Sequence, residues 1–438
     1  MHAVVVRRVV GFALAAWAVA LVAGLGAQEQ PRGQVRRYKP TISASHPAIA
    51  EVVPAGDAVS RLVQRLARGE VALERGADGQ GYLASVLTAL DVPVDSQLLA
   101  FSKTSVQAAL TSPDRPRAVY FRDDVMVAHV PGTPGVEAIA IDPARGPVFY
   151  ALTLGAGGAP SFTATQTCVK CHHGPNTAGV PGVFIGSVIP GPSGAPLRDD
   201  TAIITDHTSP FVDRWGGWYV TARRGEPRNR SNAVAPNPAA PASLVRESGQ
   251  NVTTLFGLVD PAQYLVPTSD IVALMTFEHQ TQMTNLITRV AWQARVAHAA
   301  QPFSPLTHPG LAQDVAALVD YMTFVDEARL PGPVTGVSTF TATFPSRGPK
   351  DAAGRSLRDF DLRTRLFRYP VSYLIDSPSF EALPNVARQE ILRRVYDRLT
   401  GASAGARRLV APASERRAAL TIIRETVRDL PPYWRRPG

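Results

Sequence analysis

The sequence predicts an α+β fold: a strand-rich region packed on one long helix, followed by a mainly helical C-terminal part. Three observations carry that prediction. Between Gln97 and Thr153 short apolar runs alternate with turn residues, as in an antiparallel meander. From Ser269 to about Ala300 runs the strongest helix signal in the chain, with Pro267-Thr268-Ser269 as its start and Asp270 at its positive end. Beyond Lys350 the pattern is helical again, at Phe380–Leu399 and Ser414–Leu430.

The elements follow in order. Residues 1–27 read as a secretory signal: Arg7-Arg8, an uncharged stretch from Val9, and small residues ending at Ala27. An uncleaved anchor is the alternative, because Val9–Ala27 is near the length that spans a bilayer. Either way the body lies outside the cytoplasm, periplasmic or otherwise exported. Residues 28–49 are polar and Pro-containing, a tether. Val59, Leu62, Val63, Leu66 and Val71 give Asp57–Glu74 helical spacing, and Tyr82–Leu90 is a second short helix. The strands are Ala118–Phe121, Val125–Val130, Ala138–Ile141 and Val148–Leu152. Val183–Ile189, Ala202–Thr205 and Arg214–Thr221 are further extended runs, and Glu226–Ser243 is an exposed loop. Leu311–Leu330 is a helix, and residues 331–350 form a Gly/Pro/Thr linker. One unit thus spans residues 50–330, and residues 351–438 form a helical C-terminal region, with Ser414 as N-cap of its last helix and Pro431-Pro432 as its stop.

Bulk properties narrow the class. Without its first 27 residues the 438-residue chain still has about 410, enough for two or three packed units. Apolar residues make up 45%, a normal globular content. The formal charge is +9, or +7 once Arg7 and Arg8 are removed, and only Lys39, Lys103, Lys170 and Lys350 are lysines. The positive charge is dispersed, with no basic-aromatic cluster, which argues against nucleic acid.

Cys168 and Cys171 are the only cysteines, and both lie in Cys168-Val169-Lys170-Cys171-His172. C-x-x-C-H is the pattern of covalent haem c attachment. The two thiols add across the haem vinyl groups, the spacer lets both sulfurs reach one porphyrin edge, and His172 is placed as proximal ligand to the iron. Cys-x-x-Cys also occurs in zinc half-sites, dithiol redox motifs and short-loop disulfides. A structural zinc site usually needs a second Cys or His pair at set spacing; no second cysteine pair exists, which leaves the other histidines as the remaining zinc ligands. A thioredoxin-like motif opens a helix after a buried strand, whereas Gly155–Pro160 here reads as a loop. One motif and no internal repeat argue for a single haem.

The other side of the iron decides function. A strong sixth ligand suits electron transfer, and an open site permits small-molecule chemistry. Met275, His279 and Met283 are spaced by four and share one helix face, so any of them is a distal candidate. Core packing is the alternative for methionines at that spacing. Glu278, Gln282, Asn285 and Arg289 form a neighbouring polar stripe, and Glu278 or His279 beside a haem would be an acid-base group. His207 is a further candidate, its alternative being local hydrogen bonding in the Asp206-His207 turn. His129 and Met126 sit on opposite faces of a strand, Met322 on a late helix, and His173 is expected to face solvent. No G-x-S-x-G elbow, G-x-G-x-x-G or P-loop is present.

From Cys168 to Phe184 the chain looks like the start of a mono-haem cytochrome c domain, although strands and a Gly loop precede the motif and no methionine lies between Met126 and Met275. Over longer stretches it resembles a family of large exported bacterial cytochrome c domain proteins of planctomycete and acidobacterial type. The resemblance is carried by Phe101–Ser105, Arg117–Phe121, the haem motif, Thr205–His207, Arg214–Thr221, Ser269–Met275 with Glu278-His279-Gln280, and Gly354–Asp361. It implies haem c and export, with no assigned reaction. A His-Met-Gly-Asn run of the relatives has no counterpart here, since Arg228–Asn232 contains neither His nor Met.

The expectation is an exported mono-haem c-type cytochrome acting in electron transfer, whose partner is a redox protein, acidic where charge guides the encounter. A membrane enters only if the N-terminal segment stays uncleaved. The alternative is a peroxidase-like haem enzyme or a gas or peroxide sensor with an open distal site. A third, a haem-carrying binding or scaffold protein, has no positive feature.

Overall fold

A computed structural model describes residues 41–76, 80–197, 202–223, 227–236, 252–402, 409 and 411–435. The signal segment, with Val9–Ala27, and most of the tether lie outside them. Seven strands form one antiparallel sheet: β1 Leu98–Ala100, β2 Arg117–Arg122, β3 Val125–His129, β4 Val136–Asp142, β5 Gly146–Leu154, β6 Pro160–Ala164 and β9 Trp218–Tyr219, in the order β6-β5-β4-β3-β2-β1-β9. A separate ribbon pairs β7 Ile185–Ser187 with β8 Ile203–Thr205. The helices are α1 Pro47–Ala50, α2 Ala58–Ala67, α3 Leu83–Ala89, α4 Val169–His172, α5 Ile271–Ala300, α6 Pro309–Met322, α7 Phe340–Ser346, α8 Pro378–Glu381, α9 Asn385–Thr400 and α10 Ala413–Thr426. The fold is α+β, with the sheet packed on the long α5.

Period-two alternation gives the sheet two buried faces. On one, Ala118, Tyr120, Val125, Val127, Ala138 and Ala140 pack with Val59 and Leu62 of α2 and Val86 and Leu87 of α3. On the other, Phe121, Met126, Ile139 and Phe149 lie in one cross-strand row. Phe121 meets Phe277 of α5 with ring centroids 4.8 Å apart. Asp57 caps α2 through the N–H groups of Val59 and Ser60, both at 2.9 Å, and accepts the Tyr150 hydroxyl at 2.7 Å. One carboxylate therefore starts a helix and ties it to β5.

The long helix is central: 24 of the 30 residues of α5 are buried. A helix surrounded on all sides must give each polar side chain a partner, since an unpaired buried polar group is costly. Around it the larger core gathers Trp215, Met322, Phe340, Phe380 and Trp434. That core therefore spans both the region expected to bind haem and the C-terminal helices.

Several boundaries differ from the expected ones, for local reasons. The helix expected to reach Leu330 ends at Met322, because Phe324 and Asp326 take left-handed conformations at φ 55° and 68°. Residues 331–350, expected as a linker, contain α7, which buries Phe340 and Phe344. Ser414 lies inside α10, whose N-cap is Pro412. The end of the expected tether is packed, with Ile42 and Ile49 buried. Ala233 and Ala235, in the expected exposed loop, are buried as well.

The Trp215-Gly216-Gly217-Trp218 turn threads between two segments. Gly216 donates to the Ser187 hydroxyl at 2.9 Å and accepts from Val188 N at 3.0 Å, while Gly217 O accepts from Phe101 N and Ser102 N at 2.9 and 3.1 Å. A Cβ at Gly216 would lie 1.9 Å from the Val188 carbonyl oxygen. Gly216→Ala is expected to cost about 1–3 kcal/mol by overpacking. Chemical denaturation checks this, and unchanged stability would show that the close approach is not needed.

Candidate functional site

The Cys168–His172 motif leaves the sheet directly. β6 ends at Ala164, Thr165 N donates to Phe149 O at 2.9 Å, and the chain then turns into α4. The Cys168 carbonyl accepts from Cys171 N at 3.2 Å and from His172 N at 3.0 Å. A helical turn puts residues three apart on one face, so the two thiols share a side. Both cysteines are free, Cys171 exposed and Cys168 half-buried. Burial pushes the Cys168 thiol up, Glu137 adding to the effect and Arg117 opposing it. A dithiol redox centre needs a thiolate favoured by its surroundings, which is the opposite tendency. The strand before the motif is also an antiparallel edge strand, not part of a parallel crossover.

The imidazole of His172 is fixed on one side. Its Nδ1 lies 2.9 Å from the Gly182 carbonyl oxygen, and Gly182 N donates to His172 O at 2.8 Å. A carbonyl only accepts, so Nδ1 carries the proton and Nε2 carries the lone pair. The ring stacks on Phe184 at 5.2 Å and meets Phe149 at 5.3 Å. Burial holds its pKa below the ordinary value, against the raising effect of the Gly182 carbonyl and with a small lowering from Arg117. Near pH 7 the ring is therefore neutral. A neutral imidazole whose Nδ1–H is held by a carbonyl is the arrangement a metal-ligating histidine uses.

The loop after the motif is anchored at several points. Thr177 Oγ1 donates to Val180 O at 2.7 Å. Arg289 of α5, paired with Asp314 at 2.8 Å, donates to Ala178 O at 2.7 Å. Asn285 of α5 accepts from Val183 N at 2.9 Å and donates to Val183 O at 2.7 Å. His173, expected to face solvent, instead donates from Nε2 to Ile42 O at 2.9 Å and lies edge-on to Trp292 at 5.8 Å.

His207 and His279 are brought together as a buried pair. Their Nδ1 atoms are 2.8 Å apart, so one donates and the other accepts. His279 Nε2 lies 2.7 Å from the Ser372 hydroxyl, which occupies its second ring nitrogen. Tyr321 stacks on His207 at 3.9 Å, and Phe324, Phe367 and Tyr373 close around His279. His207 Nε2 has no hydrogen-bond partner among the described residues. Burial lowers the His279 pKa to about 3 and holds His207 well below its ordinary value, with His279 and Arg214 adding smaller effects there. Both rings are neutral.

Of the polar stripe Glu278, Asn285 and Arg289 are buried, and Gln282 is half-buried. Glu278 accepts from Thr205 Oγ1 at 2.6 Å and pairs with Arg214 at 3.1 Å. Burial pushes Glu278 up to about 7, while Arg214 and Thr205 pull it down. Met275 and Met283 lie in the hydrophobic core, 2% and 0% exposed. Met322 and Met126 are core residues too, Met126 in the cross-strand row with Phe149. His129, on the opposite face of β3, has Nδ1 2.9 Å from the Gly135 carbonyl oxygen. Among the described residues no group of three or more His, Cys, Asp or Glu is placed to hold a metal ion by itself.

The sequence reading missed Gly182, Phe149, Phe184 and the anchoring role of Asn285. Gly182 had a signal, the Gly179-Val180-Pro181-Gly182 turn after the motif. Phe149 had none, because it reaches His172 through the sheet. No protein-family model, curated protein or solved structure matches this chain.

Proposed function

We propose that this chain binds one haem c through Cys168 and Cys171, with His172 as proximal ligand to the iron, and works in electron transfer outside the cytoplasm. The observation that carries the proposal is the His172 imidazole: neutral, with Nδ1–H held on the Gly182 carbonyl at 2.9 Å and Nε2 left as its only lone pair. The motif lies at the surface, with Lys170 and Cys171 exposed. Haem bound there supplies one-electron redox chemistry, or a small-ligand site where its sixth position is open. The protein's share is to hold the porphyrin edge by two thioethers, orient the imidazole through Gly182, and shield it with Phe149 and Phe184. A surface site suits exchange with a redox partner protein, and the formal charge, +9 for the whole chain and +7 without Arg7 and Arg8, favours an acidic one. Among the described residues no helix is long and apolar enough to cross a membrane.

One observation favours the alternative, a haem enzyme or a gas or peroxide sensor. Three of the side chains expected as distal ligands are engaged elsewhere, both His279 nitrogens being hydrogen-bonded and Met275 and Met283 lying in the core, while His207 is tied to His279 through Nδ1 and keeps Nε2 without a partner among the described residues. An optical spectrum of the exported protein, ferric and dithionite-reduced, with and without carbon monoxide, decides between them. A sharp reduced α band untouched by carbon monoxide means a six-coordinate electron carrier. Rapid carbon monoxide binding and a high-spin ferric band mean an open site. A chain exported intact through a haem-attaching pathway that shows no haem spectrum sinks both.

A further inference from the structure

We propose that Asn285 of α5 is a positioning residue for the proximal imidazole, acting on His172 through the Gly182–Val183 peptide; the proposal rests on His172 being the haem ligand. The carbonyl that holds His172 Nδ1 at 2.9 Å belongs to Gly182, and the N–H held by Asn285 Oδ1 at 2.9 Å belongs to Val183. These two groups are the opposite ends of one planar peptide unit. Fixing the N–H therefore fixes the direction of the C=O. Asn285 Nδ2 also donates to Val183 O at 2.7 Å, so its amide pairs with Val183 as a neighbouring strand would.

The relay has an electronic side. An acceptor on the N–H polarises the peptide and makes its carbonyl a better acceptor. A stronger Nδ1–H···O=C bond makes the imidazole a more basic ligand. A more basic ligand favours ferric over ferrous iron. Asn285 thus sets part of the reduction potential through the Gly182–Val183 peptide.

Its reach depends on two further features. Asn285 is 1% exposed on a helix buried on all sides, so its own position is rigid. Gly182 is the second: a Cβ there would lie 2.3 Å from Asn285 Oδ1 and 2.7 Å from Thr177 Cβ. Any larger residue would push the peptide away from the amide.

The test uses two readouts on the full chain. The first is the midpoint potential of the haem protein. The second is solvent exchange and tautomer of the His172 ring, by nitrogen NMR, in the haem-free Cys168→Ser/Cys171→Ser chain. Asn285→Leu is expected to speed exchange of the Nδ1 proton, mix the two tautomers and move the potential to more positive values. Asn285→Asp keeps the acceptor for the Val183 N–H and is expected to retain the protected Nδ1 proton. Gly182→Ala attacks the same contact from the other side, so its effect and that of Asn285→Leu are expected not to add. An Asn285→Leu protein with native Nδ1 protection and native potential overturns the proposal, and so does one that loses only stability. Absence of haem from the native chain would overturn the ligand reading instead, and the haem-free NMR comparison tells that failure from a failure of Asn285 to hold the ring.

Discussion

Cys171→Ser is expected to weaken or abolish stable haem attachment, and Cys168→Ser/Cys171→Ser to leave no haem on the chain after acid–acetone extraction. The loss is chemical, because the fold has little stake in either thiol. Cys171 is exposed and Cys168 half-buried, neither in a disulfide. Substitutions at such surface positions usually change stability by no more than about 0.5 kcal/mol. The α4 turn is closed by backbone bonds to the Cys168 carbonyl, which serine keeps. The His172–Gly182 contact also involves no sulfur. A variant that folds as well as the native chain yet loses extractable-resistant haem therefore reports thioether chemistry alone. Native levels of covalent haem in the double variant would exclude the haem reading of the motif.

What was legible in the sequence follows from distance along the chain. The strands β2 to β5 and the helices α2 and α5 carry their signals within a few residues, as alternation or helical spacing. β6 carries almost none: Pro160–Ala164 is short, begins with proline and follows a Gly-rich turn, and its pairing is supplied by the long β5. The motif itself is local, and so is its partner Gly182, ten residues beyond His172. The surroundings of His279 on α5 were illegible for the opposite reason. Spacing by four placed Met275, His279 and Met283 on one face, but what meets that face comes from far away. His207 lies 72 residues from His279, and Ser372 lies 93. Asn285 reaches Val183 across 102 residues. A polar stripe on a helix looks the same in sequence whether water or distant loops satisfy it. Only the fold shows that most of α5 is buried and that Asn285 and Arg289 anchor the loop after Cys168–His172.

Arg214→Leu is expected to be the most destabilising single change in the polar core, and more so at pH 8 than at pH 5. Arg214 and Glu278 have side chains 3% and 0% exposed and meet at 3.1 Å. Removing one partner of such a buried pair costs about 3–5 kcal/mol, because the other charge stays buried without compensation. Arg214 also donates to the carbonyls of His207 and Ser209 at 3.0 and 2.8 Å, so leucine takes the donor from Ser209 O, while His207 O keeps Ala328 N at 2.9 Å. The pH dependence follows from Glu278. Its folded pKa is already raised to about 7, from an ordinary 4.5, by burial acting against Arg214. Without the guanidinium the opposing pull is gone and the folded pKa rises further. A carboxylic acid with a raised folded pKa contributes stability below its unfolded pKa and loses it as pH rises towards the folded value. In native protein that loss is complete near pH 7; in the variant it continues above, at up to about 1.4 kcal/mol per pH unit. At pH 5 Glu278 is protonated with or without Arg214, and the variant then lacks mainly the hydrogen bonds of the guanidinium. Urea denaturation at pH 5 and pH 8 measures the difference, and equal penalties at both would mean that Glu278 is not the group left exposed to the loss. Arg214→Leu/Glu278→Leu removes the stranded carboxylate as well and is expected to recover much of the pH 8 penalty, because the cost lies in the unpaired charge and not in the missing bond.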